Sequence, residues 1–196
     1  MPTAADVLSP GFIHMRIVLG MVVGLGLTHL LRQFARIIEH PGRKRLYWVH
    51  LVWAGSMFVY LLSFWWWEYR LSLVTQWTFN LYLFVTVYAL LLYLLCTLVL
   101  PENIDEYRDW RDYFQARRAW FFGFLAAAYL IDLGDTRIKG EAYFAAMATE
   151  MLVRDLACVA FSLIAIATRN ALYHGAFAVA GLAYQLLFIA RQFEVL

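Results

Sequence analysis

The chain has 196 residues, of which 63% are hydrophobic, 18% aromatic and only 15% charged, with a formal net charge of +2. Soluble domains carry about 25% charged residues, so this composition, with a mean hydropathy of +0.63, leaves too little polar surface for a water-soluble globule. It sets the class as a single integral membrane domain over 1–196, with membrane lipid around it and no nucleic-acid partner.

Six membrane helices are expected, at about 12–37, 46–67, 77–100, 119–133, 143–168 and 171–190. The fold class is therefore an all-α polytopic transmembrane bundle. The stretch before the first helix, MPTAADVLSPGF, has no basic run of the signal-peptide kind, so that helix is expected to be retained. Each expected span is near the ~20 residues that cross ~30 Å of hydrocarbon, except the fourth, whose strictly apolar part is shorter.

Helix one carries Arg16, Gly20, Gly24, Thr28, Arg32 and Arg36 at intervals of four. Small residues at that spacing let a second backbone approach, so Gly20 and Gly24 are candidates for helix packing within or between subunits. His29 and Arg32 near its inner end, with His50 at the start of helix two, form a candidate polar cluster at the inner mouth. Histidine titrates near neutrality, which suits proton relay or pH sensing. A facing pair could also ligate a b-type haem. Otherwise no cofactor is expected. Cys96 and Cys158 lie in apolar runs without metal-site spacing, so neither a metal centre nor a disulfide is indicated.

The first and third loops, RIIEHPGRKRLYW and ENIDEYRDWRDYFQARR, hold most of the Arg and Lys. The positive-inside rule then places loops one, three and five in the cytoplasm and both termini outside. Trp48, Trp110 and Trp120 fall at the expected inner interface and Trp65, Trp66, Trp67 and Trp77 at the outer one, as an aromatic belt requires. Within the third loop, Ile104, Tyr107, Trp110 and Phe114 recur at helical spacing behind Asn103, a candidate N-cap. Two readings fit 103–118: an interfacial amphipathic helix, or a cytoplasmic extension of helix four.

Helix five contains the stretch ATEMLVRDLACVAFSLIAIA (148–167). Met151, Arg154, Asp155, Cys158, Ser162 and Ala165 share one helical face, while Leu156, Val159, Leu163 and Ile166 lie opposite. The charged face should point into the bundle, because a charge facing lipid costs ~3 kcal/mol or more near the bilayer centre. Glu150 stands four residues before Arg154 and is a candidate partner for it. The expected transport or polar-core residues are Glu150, Arg154, Asp155, Ser162 and Gln185. Glu68, Asp132, Asp135 and Glu141, at loop ends on the expected outer side, would form an acidic vestibule that concentrates cations.

The leading functional expectation is a small ion or proton channel or transporter, acting as a homo-oligomer because one small bundle has little interior. The alternative is a non-transporting scaffold or sensor subunit that binds a protein partner or anionic lipid through its basic loops. A third reading is a b-type haem protein using His29 and His50. The sequence contains no P-loop, HExxH, GxSxG or TVGYG, so no catalytic residue is assigned and an enzyme is unsupported.

The block GLGLTHLLRQFARIIEHPGRKRLYWVHLVWA (24–54) resembles one found in small, uncharacterised bacterial polytopic inner-membrane proteins of about six helices. The resemblance implies the cytoplasmic membrane of a bacterium as the location and transfers no activity to any residue.

Overall fold

A computed structural model describes residues 9–40, 42, 44–74, 76–139 and 141–192, with 141–148 described as backbone only. Six α-helices follow in order: α1 (Pro10–Glu39), α2 (Trp48–Trp67), α3 (Phe79–Val99), α4 (Trp110–Ile138), α5 (Glu141–Ala167) and α6 (Ala171–Gln192). A 3-10 segment, Glu68–Leu73, continues α2. Among the described residues there is no strand.

Local chemistry starts and stops these helices. Ser9 caps α1 by accepting from the Phe12 amide at 3.2 Å, with Pro10 in the first turn, where its missing N–H costs nothing. Thr78 caps α3 through the Leu81 amide, and Asp109 caps α4 through the Asp112 amide at 2.9 Å. Gly42 has φ +95, in the left-handed region that glycine adopts without strain, and turns the chain between α1 and α2. Lys44 Nζ donates to the Tyr107 carbonyl at 2.6 Å and the Trp110 amide to the Arg45 carbonyl at 3.3 Å, tying that turn to the segment before α4.

The helices close into a ring of neighbours in the order α1, α3, α4, α5, α6, α2, and α2 also touches α3 and α4. The short Lys139–Gly140 connection makes α4 and α5 an antiparallel hairpin, the most extensive pairing in the bundle. Each helix turns one stripe inward: Phe12, Met15, Leu19, Val23 and Leu30 on α1, and Tyr88, Leu92, Leu95 and Cys96 on α3. Bulky apolar residues cover the outside, with Ile17, Met21 and Leu25 on α1, Leu163 on α5 and Leu187 on α6 all more than half exposed. Such a continuous apolar exterior suits lipid and not water.

Four helical segments are long and apolar enough to cross a bilayer: α1, α2 with its 3-10 continuation, α3 and α6. By length and composition this is a multi-pass membrane protein. α4 and α5 hold the charges: Asp132, Asp135 and Lys139 on one, Arg154 and Asp155 on the other.

Two boundaries differ from those read in the sequence. α4 is twice the expected 119–133 and begins at Trp110, so the amphipathic residues 110–118 extend it; Asn103 instead closes a local turn onto the Asp105 amide at 2.7 Å. At its other end α4 runs five residues past the expected end at 133, through Gly134. A Cβ there would lie 3.2 Å from the Phe84 ring, so this glycine is a packing notch between α3 and α4 rather than a terminator. The extra turn carries Lys139 into the protein.

Candidate functional site

The charged face of α5 points inward. Asp155, Ser162 and Ala165 are fully buried and Met151 nearly so, whereas Leu156 and Leu163 are about half exposed. Arg154 Nε donates to Asp155 Oδ1 at 2.6 Å, and its guanidinium also bonds Asp132 on α4, which the hairpin sets opposite. The Arg154 guanidinium further lies 5.8 Å from the Phe188 ring centre, a cation–π contact supplied by α6. Asp132 in turn accepts from the Tyr88 hydroxyl at 2.9 Å, and Tyr88 is 2.9 Å from the Tyr60 hydroxyl. Four helices thus join in one hydrogen-bonded file: Tyr60, Tyr88, Asp132, Arg154 and Asp155.

A second group stands at the end of α2. Lys139 Nζ donates to Glu68 Oε1 at 2.8 Å and to Asp135 Oδ2 at 2.5 Å. All three side chains are at least nine-tenths buried, with exposures of 6%, 3% and 1% respectively. Asp135 and Lys139 are one helical turn apart on α4, and Asp132 is a further three residues back, so both groups lie on one face of that helix.

A cavity of about 90 Å³ joins them, lined by Glu68, Lys139, Asp132 and Arg154 with Tyr60 and Tyr88 among the flanking aromatics. It has room for several waters, since each needs ~10–15 Å³ of such volume. On the far side of Glu68 lies a wider groove of about 650 Å³ between the start of α1 and the 3-10 segment. Trp67 and Glu68 line both spaces and form the wall between them.

The balance of charge is unequal. Four carboxyls (Glu68, Asp132, Asp135 and Asp155) face two cations, Lys139 and Arg154. No donor among the described residues reaches Glu68 Oε2, Asp135 Oδ1 or Asp155 Oδ2, all of them shielded from solvent. An ionised oxygen without a donor in such a place is costly, although each of these carboxyls bonds a cation through its other oxygen.

At the other end of the bundle the interior is aromatic. Trp53 packs edge-on against Phe121, Phe122 and Phe177 with ring centres 5.4, 5.5 and 5.1 Å apart. Trp53 is seven residues before Tyr60 on α2, or ~10 Å along the axis. Beyond the polar cavity on that side, the interior is filled by these edge-on rings.

The remaining candidates fall in several places. Gln185 joins the cavity wall and accepts from Ser56 Oγ at 3.0 Å. Ser162 is buried deeper on the same α5 face, without a bonding partner among the described residues. Glu150 does not pair with Arg154; it bonds Arg191 and Tyr184 of α6 at the surface, because Arg154 is taken up by Asp132 and Asp155. Of the expected outer acids, Asp135 and Glu68 are buried and Asp132, 18% exposed, lines the cavity. The side chain of Glu141 lies outside the described residues.

The inner-mouth residues separate. His29 Nε2 meets the Leu100 carbonyl at 2.7 Å, Arg32 is exposed, and His50 is enclosed by Trp110, Tyr113 and Phe114. A Cβ added at Gly24 would meet nothing within 4 Å, while one at Gly20 would lie 3.2 Å from Trp65; the tight glycine on α1 is Gly26, where a Cβ would lie 2.8 Å from Leu61. Among the described residues no three His, Cys, Asp or Glu stand where they could hold a metal ion.

Sequence reasoning missed Lys139, Tyr60 and Tyr88. The spacing Asp132, Asp135, Lys139 continues one helical face and was the available signal for Lys139; the two tyrosines are indistinguishable from belt aromatics until α2 and α3 are packed together. Comparison with known protein families, with curated proteins and with solved structures returns no match. The site is accordingly argued from its own geometry.

Proposed function

We propose that this protein is a small membrane carrier of ions or protons, and that the buried charge group on α2, α4 and α5 is its binding site. The observation that carries this reading is the surplus of two carboxyls beside a cavity with room for several waters, which Glu68 and Asp132 line, with carboxylate oxygens left unpaired in the interior. A purely structural network would match each buried charge, because an unmatched one destabilises the fold. The ring-filled interior at the Trp53 end favours a carrier with one side open at a time over a continuous pore.

In this reading α4 and α5 cross the membrane too, giving six spans: they sit in the ring between α3 and α6, keep their charges inward and show leucines outward. The basic first and third loops set the Trp48–Trp110 end in the cytoplasm and the charge group toward the outer side of a bacterial inner membrane. Self-association into a homo-oligomer, in contact with lipid, belongs to the same proposal.

The test is flux of protons, Na⁺, K⁺ and Cl⁻ in vesicles containing the purified chain, against protein-free vesicles and Asp155→Asn. Flux that the substitution changes in a folded protein supports the carrier; absence of all flux under any gradient sinks it. One observation favours a second reading, a scaffold or sensor subunit: each cation sits between two carboxyls, as in a helix-locking pair. There Asp155→Asn lowers stability and no ion moves.

A further inference from the structure

Resting on the carrier reading, we infer that the species carried is the proton, and that the Glu68 carboxyl loads it from the wide groove beside the 3-10 segment. Glu68 is the one carboxyl that lines both the groove and the inner cavity, and its Oε2 has no hydrogen-bond donor among the described residues although the residue is only 3% exposed. It is therefore at the boundary, with an unused oxygen, where a proton would enter.

The same geometry disfavours other ions. A metal cation would need carboxyls converging on an open position, but the space between Glu68 and Asp135 is filled by the Lys139 ammonium and that between Asp132 and Asp155 by the Arg154 guanidinium. A small anion would meet a carboxyl surplus. A proton needs neither space nor a coordination shell. It needs acceptors in series: Asp132, Tyr88 and Tyr60 are joined by hydrogen bonds of 2.9 Å, and the cavity that Glu68 and Asp132 both line, roomy enough for water, connects Glu68 to that chain. The titratable and charged groups facing the carboxyls are Tyr60 from α2, Tyr88 from α3, Tyr129 from α4, Cys158 from α5 and Tyr184 from α6, with Lys139 and Arg154 inside and Arg16 of α1 and Tyr69 and Arg70 of the 3-10 segment lining the groove beside Glu68.

Each step balances. One O–H bond breaks on the donor carboxylic acid, which becomes a carboxylate. One forms on the acceptor, which becomes the acid, while Lys139 and Arg154 keep their own protons. Along the Asp132–Tyr88–Tyr60 chain the hydroxyls first turn; the O–H bond of protonated Asp132 then breaks as one forms on Tyr88, Tyr88 gives its own hydrogen to Tyr60, and Tyr60 gives its own to a water in the cavity it lines. Tyr60 on α2 lies eight residues before Glu68, the first residue of the 3-10 continuation, so the series covers ~12 Å along the helix axis.

The experiment uses the purified full chain in vesicles of mixed zwitterionic and anionic phospholipid with a trapped pH-sensitive dye. A proton gradient is imposed with the membrane potential clamped, and Na⁺, K⁺ and Cl⁻ movements are followed in parallel. Proton flux well above protein-free vesicles is expected. It should fall by about 10²-fold in Glu68→Gln, the size of loss when a positioned proton-transfer group is removed. Glu68→Asp should restore part of it, and Tyr88→Phe should slow it without altering any charge. Na⁺, K⁺ or Cl⁻ flux without proton flux overturns the proton assignment and leaves the carrier reading standing. Absence of all flux removes both. Proton flux that Glu68→Gln leaves unchanged in a folded protein overturns the loading role. Should Glu68→Gln fail to fold, Tyr88→Phe decides: an unaltered proton rate overturns the series.

Discussion

Replacing Lys139 by methionine removes the one cation shared by Glu68 and Asp135 and keeps the length of the side chain. In the wild-type protein its ammonium bonds both carboxyls, at 2.8 and 2.5 Å, in a site almost sealed from solvent. Exposed ion pairs are worth ~0–1 kcal/mol, but breaking a buried pair by deleting one partner costs ~3–5 kcal/mol, because the other charge is left without compensation. Here two carboxyls are abandoned together, so the upper part of that range applies, and ~4–5 kcal/mol shifts the unfolding equilibrium by about 10³-fold. The assay is a denaturing-detergent titration of the purified protein in mixed micelles. The triple variant Glu68→Gln/Asp135→Asn/Lys139→Met removes the orphaned charges as well and should return to within ~1 kcal/mol of wild type or exceed it. A Lys139→Met loss of ~1 kcal/mol or less, the value of a solvated pair, would refute the claim that Lys139 holds these two carboxyls in a buried site.

Three further outcomes follow from the same structure. Gly11→Ala places a methyl 2.5 Å from Trp77 Cγ and 2.7 Å from its Cβ, near the rigid base of that side chain, and should destabilise by ~1–3 kcal/mol; Gly24→Ala meets nothing within 4 Å and should leave the same titration unchanged or improved by up to ~1 kcal/mol. Asp109→Ala removes the acceptor of the Asp112 amide at the start of α4 and should cost ~1 kcal/mol, read from the same unfolding curve. Glu150→Gln breaks an ion pair with Arg191 whose side chains are 39% and 58% exposed, so the thermal midpoint should stay where wild type has it, in contrast to Asp155→Asn.

The inward turn of the α5 charges was legible from periodicity alone, since Arg154, Asp155, Ser162 and Ala165 share a helical stripe opposite leucines. Their partners were not. Arg154 has a carboxylate four residues before it and one directly after it, and the sequence offers no reason to prefer either to Asp132, twenty-two residues away. The hairpin decides, because antiparallel α4 and α5 set Asp132 level with Arg154 and leave Glu150 a turn nearer the surface, within reach of Arg191. The end of α4 was not legible either: the apolar run stops at 133, but the missing Cβ of Gly134 leaves room for Phe84, and the continued helix carries Lys139 into the protein.

What the sequence determined by itself is the solvent of this protein and the helical nature of its parts. Both follow from properties summed over many residues: apolar runs long enough to span hydrocarbon, and charges too few for water. The neighbour order α1, α3, α4, α5, α6, α2, and with it the meeting of Glu68, Asp135 and Lys139, was decided only in three dimensions. Lipid solvates every apolar helix face nearly equally, so hydrophobicity tells a membrane helix that it is inside but not which neighbour to choose. That choice falls to a few shape and charge contacts between residues far apart in the chain, and those contacts are the candidate site.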